Sequence, residues 1–332
     1  MKKQLVVFAF AIVLCCSTFL QNSDAADTKI IKLSTVFVSG DPFVQTLEEI
    51  AKNVNERTNG SIRIDVYPNG QIASYKDGVE LVARGANFIS TDDPSYLGDY
   101  VPDYKALVGP MLYQSIDEYS AMCQTDFANE LNKKAEAKGI KVLALDFTFG
   151  FRNVVANKAV RTPADLKGLK IRVPKSQLWI DTLTAMGASP TPLPWSETYS
   201  AVQQKVVDGV ETSIVSFETN NLIEVTKDIS KTQHFLGTGT AMISMRAWNS
   251  FTDKERAIMQ DEFTRGAKRN NEIVKASVAK LFEKAKKDGA TITEIDRASF
   301  ADVTKTVFEK TPGLSEGIYE RIQKELTAIR NK

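Results

Sequence analysis

Few side chains in this sequence are placed to do chemistry, and most of the familiar reactive sets are missing. One histidine, His234, serves the whole chain, which excludes a histidine-rich metal site and leaves a hydrogen-bonded structural residue at a strand edge as its ordinary role. No HExxH, GxSxG, Walker loop or CxxC is present. Gly237-Thr238-Gly239 lacks the third glycine of a dinucleotide fingerprint and opens no helix, so it reads as a turn. Asp92 and Asp93 are adjacent carboxylates, but neighbours on a strand point to opposite faces and cannot share a proton. With no nucleophile–base set visible, the chain is not expected to be an enzyme.

Two arginines stand where arginines are unusual. Arg172 lies inside the β-rich run Leu169–Pro174, and Arg152 follows Phe149-Gly150-Phe151 at the end of an apolar strand. A guanidinium stays charged at physiological pH and matches a carboxylate with two parallel hydrogen bonds. In a partly closed cleft such a pair contributes about 1.5–3 kcal/mol and orients the ligand. From the local sequence alone, a solvated strand face or a structural ion pair is an equally ordinary role for each. The aromatic residues nearby, Phe149, Phe151, Trp179, Trp195 and Phe217, suit core filling as well as a binding wall.

The elements that must position these residues alternate along the chain. A strand at Ile30–Val36 precedes a helix with Asp41 as N-cap and Pro42 in its first turn. Ser61–Val66 and Asn87–Thr91 are strands separated by a helix over Lys76–Arg84. The pattern restarts with strands at Lys141–Phe147, Val154–Asn157 and Leu169–Val173, a helix over Gln177–Met186, and a strand at Gly209–Val215. Pro190, Pro192 and Pro194 hold one connection extended. Ala241–Met245 is the last strand before a long helix from Asp253 to Lys287. Strand–helix alternation of this kind specifies α/β layers with mainly parallel pairing. Two such layers without a linker read as lobes around a hinge.

The bulk properties set the compartment. Lys2 and Lys3, an apolar run from Leu5 to Leu20, and Ser23-Asp24-Ala25 form a secretory signal with cleavage expected after Ala25. The mature chain would balance acidic and basic residues, which offers nothing to nucleic acid or an anionic membrane. Cys123 would be its only cysteine, so no internal disulfide is expected.

The block Thr162-Pro163-Ala164-Asp165-Leu166-Lys167-Gly168-Leu169-Lys170-Ile171-Arg172-Val173-Pro174 resembles the solute-binding proteins of TRAP transporters, the DctP-type family. The resemblance continues through Met186–Pro190, Pro194–Gln203 and Val206–Glu211, and earlier through Pro68–Ile72 and Pro110–Tyr113. It implies a two-lobed periplasmic-binding-protein fold of type II-like form, α/β, with two mixed sheets flanked by helices, hinge strands and a long lobe-spanning helix. The expected division is residues 1–25 as signal peptide, 26–148 plus about 238–270 as lobe I, and 149–237 plus about 271–332 as lobe II. It also implies that Arg172 pairs with a ligand carboxylate, that Arg152 is a second ligand-facing arginine, and that Trp195 forms a pocket wall. Asp92 or Asp93 would reach the ligand from the first lobe, with Phe151 and Phe217 as further candidates.

Thr212 stands where the family commonly has asparagine, Ala73 replaces a glycine and Asn87 an aspartate. These departures leave the ligand's identity open among sugar acids, hydroxy or keto acids, dicarboxylates, and aromatic or amino acids. The expected function is capture of a small organic acid in the periplasm by a monomer without cofactor or metal, followed by delivery to TRAP membrane permease subunits. A ligand sensor docking on a receptor kinase is the alternative.

Overall fold

The computed structural model describes residues 28–331; the expected signal segment lies outside the described residues. Lys29–Ser34 (β1) is flanked in parallel by Ile62–Tyr67 (β2) and Phe88–Ser90 (β3). The helices Pro42–Arg57 (α1) and Tyr75–Ala83 (α2) make the crossovers. Asp41 caps α1 by accepting from Phe43 N at 2.9 Å, with Pro42 in the first turn. The buried stripe Phe43, Leu47, Ile50 and Val54 then faces one apolar core, together with Phe147 and Phe263. Three shorter helices, Asp103–Leu107 (α3), Ile116–Met122 (α4) and Asp126–Glu136 (α5), complete this half. Cys123 follows α4 as a buried free cysteine whose thiol pKa burial pushes up, so it stays protonated.

Two strands of 17 residues each, Ile140–Ala156 (β4) and Asp228–Ser244 (β8), run antiparallel through the middle of the molecule. Beyond them Lys170–Val173 (β5), Ser189–Pro192 (β6) and Gly209–Ser213 (β7) form a second parallel set. Gln177–Ala185 (α6) and Thr198–Gln203 (α7) connect these strands. Ile214–Thr219 (α8) follows β7, and Met245–Asn249 (α9) follows β8. The strand order is β2-β1-β3-β8-β4-β7-β5-β6, with Thr291–Thr293 (β9) also pairing β8. The two expected sheets are therefore continuous through β4 and β8.

Two sequence expectations are corrected here. Lys141–Phe147 and Val154–Asn157 belong to one strand, because β8 pairs across the bulges between them. Gly237-Thr238-Gly239 is not a turn but lies inside β8. Its glycines are needed for clearance: a Cβ on Gly239 would stand 2.7 Å from the Phe149 ring, and one on Gly237 3.0 Å from the Gly150 carbonyl oxygen.

The proline-rich connection becomes the edge strand β6. Ser189 N and Leu193 N donate inward to Leu169 O and Val173 O, while Pro190 and Pro192, lacking an N–H, occupy the alternate positions toward the open edge.

The helix Asp253–Lys287 (α10) is 35 residues long and begins with a capping box formed by Thr252 and Glu255. It seals the edge of β4 that β7 leaves open. Gln260 Nε2 donates to Leu143 O at 2.6 Å and Asn270 Nδ2 to Thr148 O at 2.8 Å. Asn271 Oδ1 accepts from Thr148 N and Oγ1 at 3.0 and 2.7 Å, and its Nδ2 donates to Asp146 O at 2.7 Å. Of the last two helices, Arg297–Lys310 (α11) packs on α6 and Ile318–Arg330 (α12) on α3 and α4. The segment expected wholly in lobe II thus touches both halves.

Asn271→Leu keeps the volume but strands the backbone groups of Asp146 and Thr148. Each buried orphan costs about 1–3 kcal/mol, so the variant should lose at least about 2 kcal/mol. Urea denaturation should show a lower midpoint with an unchanged slope; an unchanged midpoint would refute this role.

Candidate ligand-binding site

The two strand sets meet over a cavity of about 590 Å³, counting its mouth. Its position follows from irregularities in β4. The β4–β8 register slips between Thr148 and Gly150 and again between Arg152 and Val154, and Gly150 sits at φ +84°. The first slip breaks the two-residue alternation of the strand. Phe149 and Arg152, three residues apart, consequently line the same cavity.

Arg152 is already paired. Its Nε and Nη2 donate to the two carboxylate oxygens of Glu211 at 2.5 and 2.6 Å, and Nη2 also reaches Glu211 O at 3.0 Å. Burial alone would push the Glu211 carboxyl up; the charge and hydrogen bonds of Arg152 outweigh it and bring the pKa down to about 2. His234 Nε2 lies 3.4 Å from Glu211 without completing a hydrogen bond, and its Nδ1 is hydrogen-bonded to Thr232 Oγ1 at 2.8 Å. Burial lowers the His234 pKa, so the imidazole is neutral. The Arg152 guanidinium also stands 5.8 Å from the centre of the Trp179 ring.

Arg172 is not paired in this way. It is 1 % exposed, and among the described residues no carboxylate lies within ion-pair reach of it. Nε and Nη2 donate to Leu193 O at 3.0 and 2.6 Å, and Nη2 approaches Tyr75 Oη at 3.4 Å. Its guanidinium stands 5.2 Å from the Trp195 ring centre. Arg172 can occupy this buried strand position because β6 and the chain after it hold the Leu193 carbonyl over β5.

Tyr75, at the first position of α2 with φ +56°, crosses from the opposite half. Its hydroxyl accepts from Trp195 N at 3.1 Å. Two further hydrogen bonds cross the same gap, Ser95 Oγ with Ser176 Oγ at 3.5 Å and Thr219 Oγ1 to Asp41 Oδ2 at 3.1 Å.

The adjacent aspartates differ in use. Asp93 caps a short 3-10 turn by accepting from Ser95 N at 2.8 Å, and it accepts from Thr238 Oγ1 at 2.5 Å. Asp92 accepts from Ser90 Oγ at 2.7 Å and has no cation partner among the described residues. Burial pushes its carboxyl up to about 7, more than the Ser90 hydrogen bond pulls it down.

Of the sequence candidates, Arg152, Arg172, Trp195, Thr212, Asp92 and Asp93 line one cavity. Phe151 and Phe217 do not. Phe217 is buried in the core, and Phe151 packs against it from a half-buried position. Phe37, Phe149, Tyr75, Tyr96 and Trp179 supply the aromatic wall. Glu211 was not identified from sequence as Arg152's partner, because 59 residues separate them and only the β4–β7 register unites them. Four buried polar atoms of residues that line the cavity have no partner among the described residues: Tyr96 Oη, Thr212 Oγ1, Trp179 Nε1 and Trp195 Nε1. All four can donate a hydrogen bond. An uncompensated guanidinium among free donors can hold an anion.

A carboxyl whose pKa rises on folding destabilises the native state as pH climbs from the unfolded pKa, near 4, to the folded one near 7. Asp92→Asn should therefore melt higher than the parent at pH 8, by at least about 1 kcal/mol. The advantage should shrink as pH falls from 7 toward 4. A constant difference across that window would show that Asp92 is ionised at little cost.

Residues 33–312 match the family described as bacterial extracellular solute-binding protein, family 7, DctP. A TRAP periplasmic solute-binding protein of Desulfovibrio salexigens, in complex with diglycerolphosphate, is 45% identical with a TM-score of 0.90. That likeness covers 92% of this chain and 98% of the other. One from Fusobacterium nucleatum with bound sn-glycerol-3-phosphate is 43% identical with a TM-score of 0.90, covering 91% and 98%. The C4-dicarboxylate-binding periplasmic protein DctP of Rhodobacter capsulatus is 27% identical over 291 residues, 86% of this chain and 87% of its own. No helix among the described residues is long and apolar enough to cross a membrane. The chain belongs to the DctP family of extracellular solute-binding proteins, the periplasmic binding components of TRAP transporters, and is a binding protein rather than an enzyme.

Proposed function

We propose that this protein captures a small organic anion against Arg172, closes its two halves over it, and delivers it to a TRAP membrane permease. The observation that carries this reading is the buried guanidinium of Arg172 with no carboxylate beside it. An unpaired buried charge costs several kcal/mol, and an anionic ligand removes that cost. Arg152, neutralised by Glu211, then acts as a fixed donor and a stacking surface for Trp179 rather than as a second free charge.

A phosphate ester of glycerol is the ligand class best supported. Relatives at 43% and 45% identity carry sn-glycerol-3-phosphate and diglycerolphosphate. The wall agrees with that class. A carboxylate offers two oxygens, whereas Arg172, the two indoles, Tyr96 and Thr212 offer more donors than two oxygens can use. A carboxylate ligand is the second reading, supported by the dicarboxylate-binding relative and by the fit of the Arg172 fork to a carboxylate.

Closure is supported by the hydrogen bonds that already cross the gap from Tyr75, Ser95 and Asp41. A ligand that bridges the halves binds the folded state alone, so at a hundred times its Kd it should add about 2.7 kcal/mol of stability and raise Tm. Glycerol, which lacks the charge, should give no shift.

Arg172→Ala should fold normally by circular dichroism yet bind sn-glycerol-3-phosphate at least about thirtyfold more weakly in calorimetry. Arg172→Lys should also bind poorly, because an ammonium cannot reproduce the fork. Near-parental affinity in the alanine variant would remove Arg172 from the site.

A further inference from the structure

Trp195 lines two cavities. One is the arginine-lined cavity. The other is a second compartment of about 500 Å³, counting its mouth, which shares Val36 and Trp195 with the first. It also spans the two halves: Val38 and Asn69 come from the first, and Ser196, Thr198, Tyr199 and Asn220 from the second. No lysine, arginine, aspartate or glutamate lines it. Tyr199 Oη is engaged by Glu224 at 2.6 Å and Asn220 Nδ2 by Ser216 O at 2.9 Å. That leaves the Asn220 carbonyl oxygen, the Asn69 amide and the Ser196 hydroxyl without protein partners among the described residues. Amides and hydroxyls of this kind suit a neutral, hydroxylated group.

Charge points the same way. Arg152 is neutralised by Glu211, so the main cavity offers one uncompensated cation, Arg172. Two carboxyls, Asp92 and Asp93, line the same space, and a second negative charge on the ligand would meet them. A phosphate monoester carries about −1.5 to −2 at neutral pH. A phosphodiester carries a single charge and two substituents.

We propose that the ligand is a monoanionic phosphodiester with two polyol arms, its phosphate at Arg172, one arm in the main cavity and the other in the Val38–Asn69–Ser196–Asn220 compartment behind Trp195. This rests on the anion reading of Arg172 and adds to it a second subsite. Trp195 then does two things. Its ring lies beside the Arg172 guanidinium, and the residue lines both compartments, with its Nε1 free of protein partners.

Three compounds separate charge from subsite in calorimetry on the full mature protein. These are sn-glycerol-3-phosphate, methyl glyceryl phosphate (one charge, one polyol arm) and diglyceryl phosphate (one charge, two arms). The two-armed diester should bind at least about tenfold more tightly than the methyl diester. Val38→Trp, at a half-buried position that lines only the second compartment, should abolish that difference and leave methyl diester affinity within about twofold of the parent. Ser196→Trp fills the same space from an exposed position on the opposite half and should do the same, so the test survives if one variant fails to fold. Equal affinity for the two diesters, or a difference that persists in both tryptophan variants, overturns the subsite. If none of the three compounds binds, the anion reading itself falls, and the subsite with it.

Discussion

The structure depends on a buried positive charge left without a protein counter-ion. Two arginines approach one cavity, and the fold treats them oppositely. Arg152 receives a fully buried carboxylate in a two-pronged geometry. Arg172 receives only the Leu193 carbonyl, a distant tyrosine hydroxyl and the face of an indole. Moving a guanidinium out of water costs several kcal/mol, and a neutral carbonyl offsets only part of it. Neighbouring elements serve to keep Arg172 in that state. β6 runs extended because alternate prolines deny it any other partner than β5, and the chain leaving it places Leu193 O over the guanidinium. Tyr75 reaches in from the other half to touch both Arg172 and the backbone of Trp195.

Some of this was legible in the residues and some was not. The parallel βα units could be read because their helices show apolar stripes and their strands are short and β-rich. The long helix from Asp253 to Lys287 could be read for the same reason. Arg172 stood out because a charged residue between Ile171 and Val173 breaks a buried strand pattern. The two long strands were harder. β8 carries Gly237 and Gly239, which look like a turn until Phe149 is seen to need the space above them. The choice between Phe149 and Phe151 turned on one register slip beside Gly150, and a slip is a property of the pairing with β8 rather than of the β4 sequence. Glu211 was invisible as Arg152's partner for a related reason: ion pairs across strands distant in sequence are fixed by register, and register is not local information.

The continuity of β4 and β8 through both halves raises the question of how two parts of one sheet could move relative to each other. The bulges answer it in part. Between Val142 and Val154 the β4–β8 ladder is irregular at four places, and irregular ladders bend where regular ones resist. The same stretch of β4 borrows hydrogen bonds from Gln260, Asn270 and Asn271 of α10 instead of from a third strand. Side-chain amides hold a strand edge without forcing it to follow the twist of a neighbouring strand. α10 therefore acts as a continuous brace along a segment where the sheet itself is loosely laddered.

Selectivity follows from the same imbalance that costs stability. A neutral analogue of the ligand can fill the cavity, touch every aromatic wall and even accept from the free indole N–H groups, but it leaves the Arg172 charge as uncompensated as before. Discrimination built on buried polar groups left unpaired is far steeper than discrimination by shape alone. Asp92 sharpens it from the other side. Burial pushes its carboxyl up to about 7, so an anion placed too near it meets either repulsion or the need to take up a proton. On the proposed reading the cavity would select for two things at once: that the ligand bears a negative charge, and that the charge sits at the Arg172 end. Hydroxyl groups are the natural partners at the Asp92 end, because they can donate to the carboxylate or accept from the acid without a change of net charge.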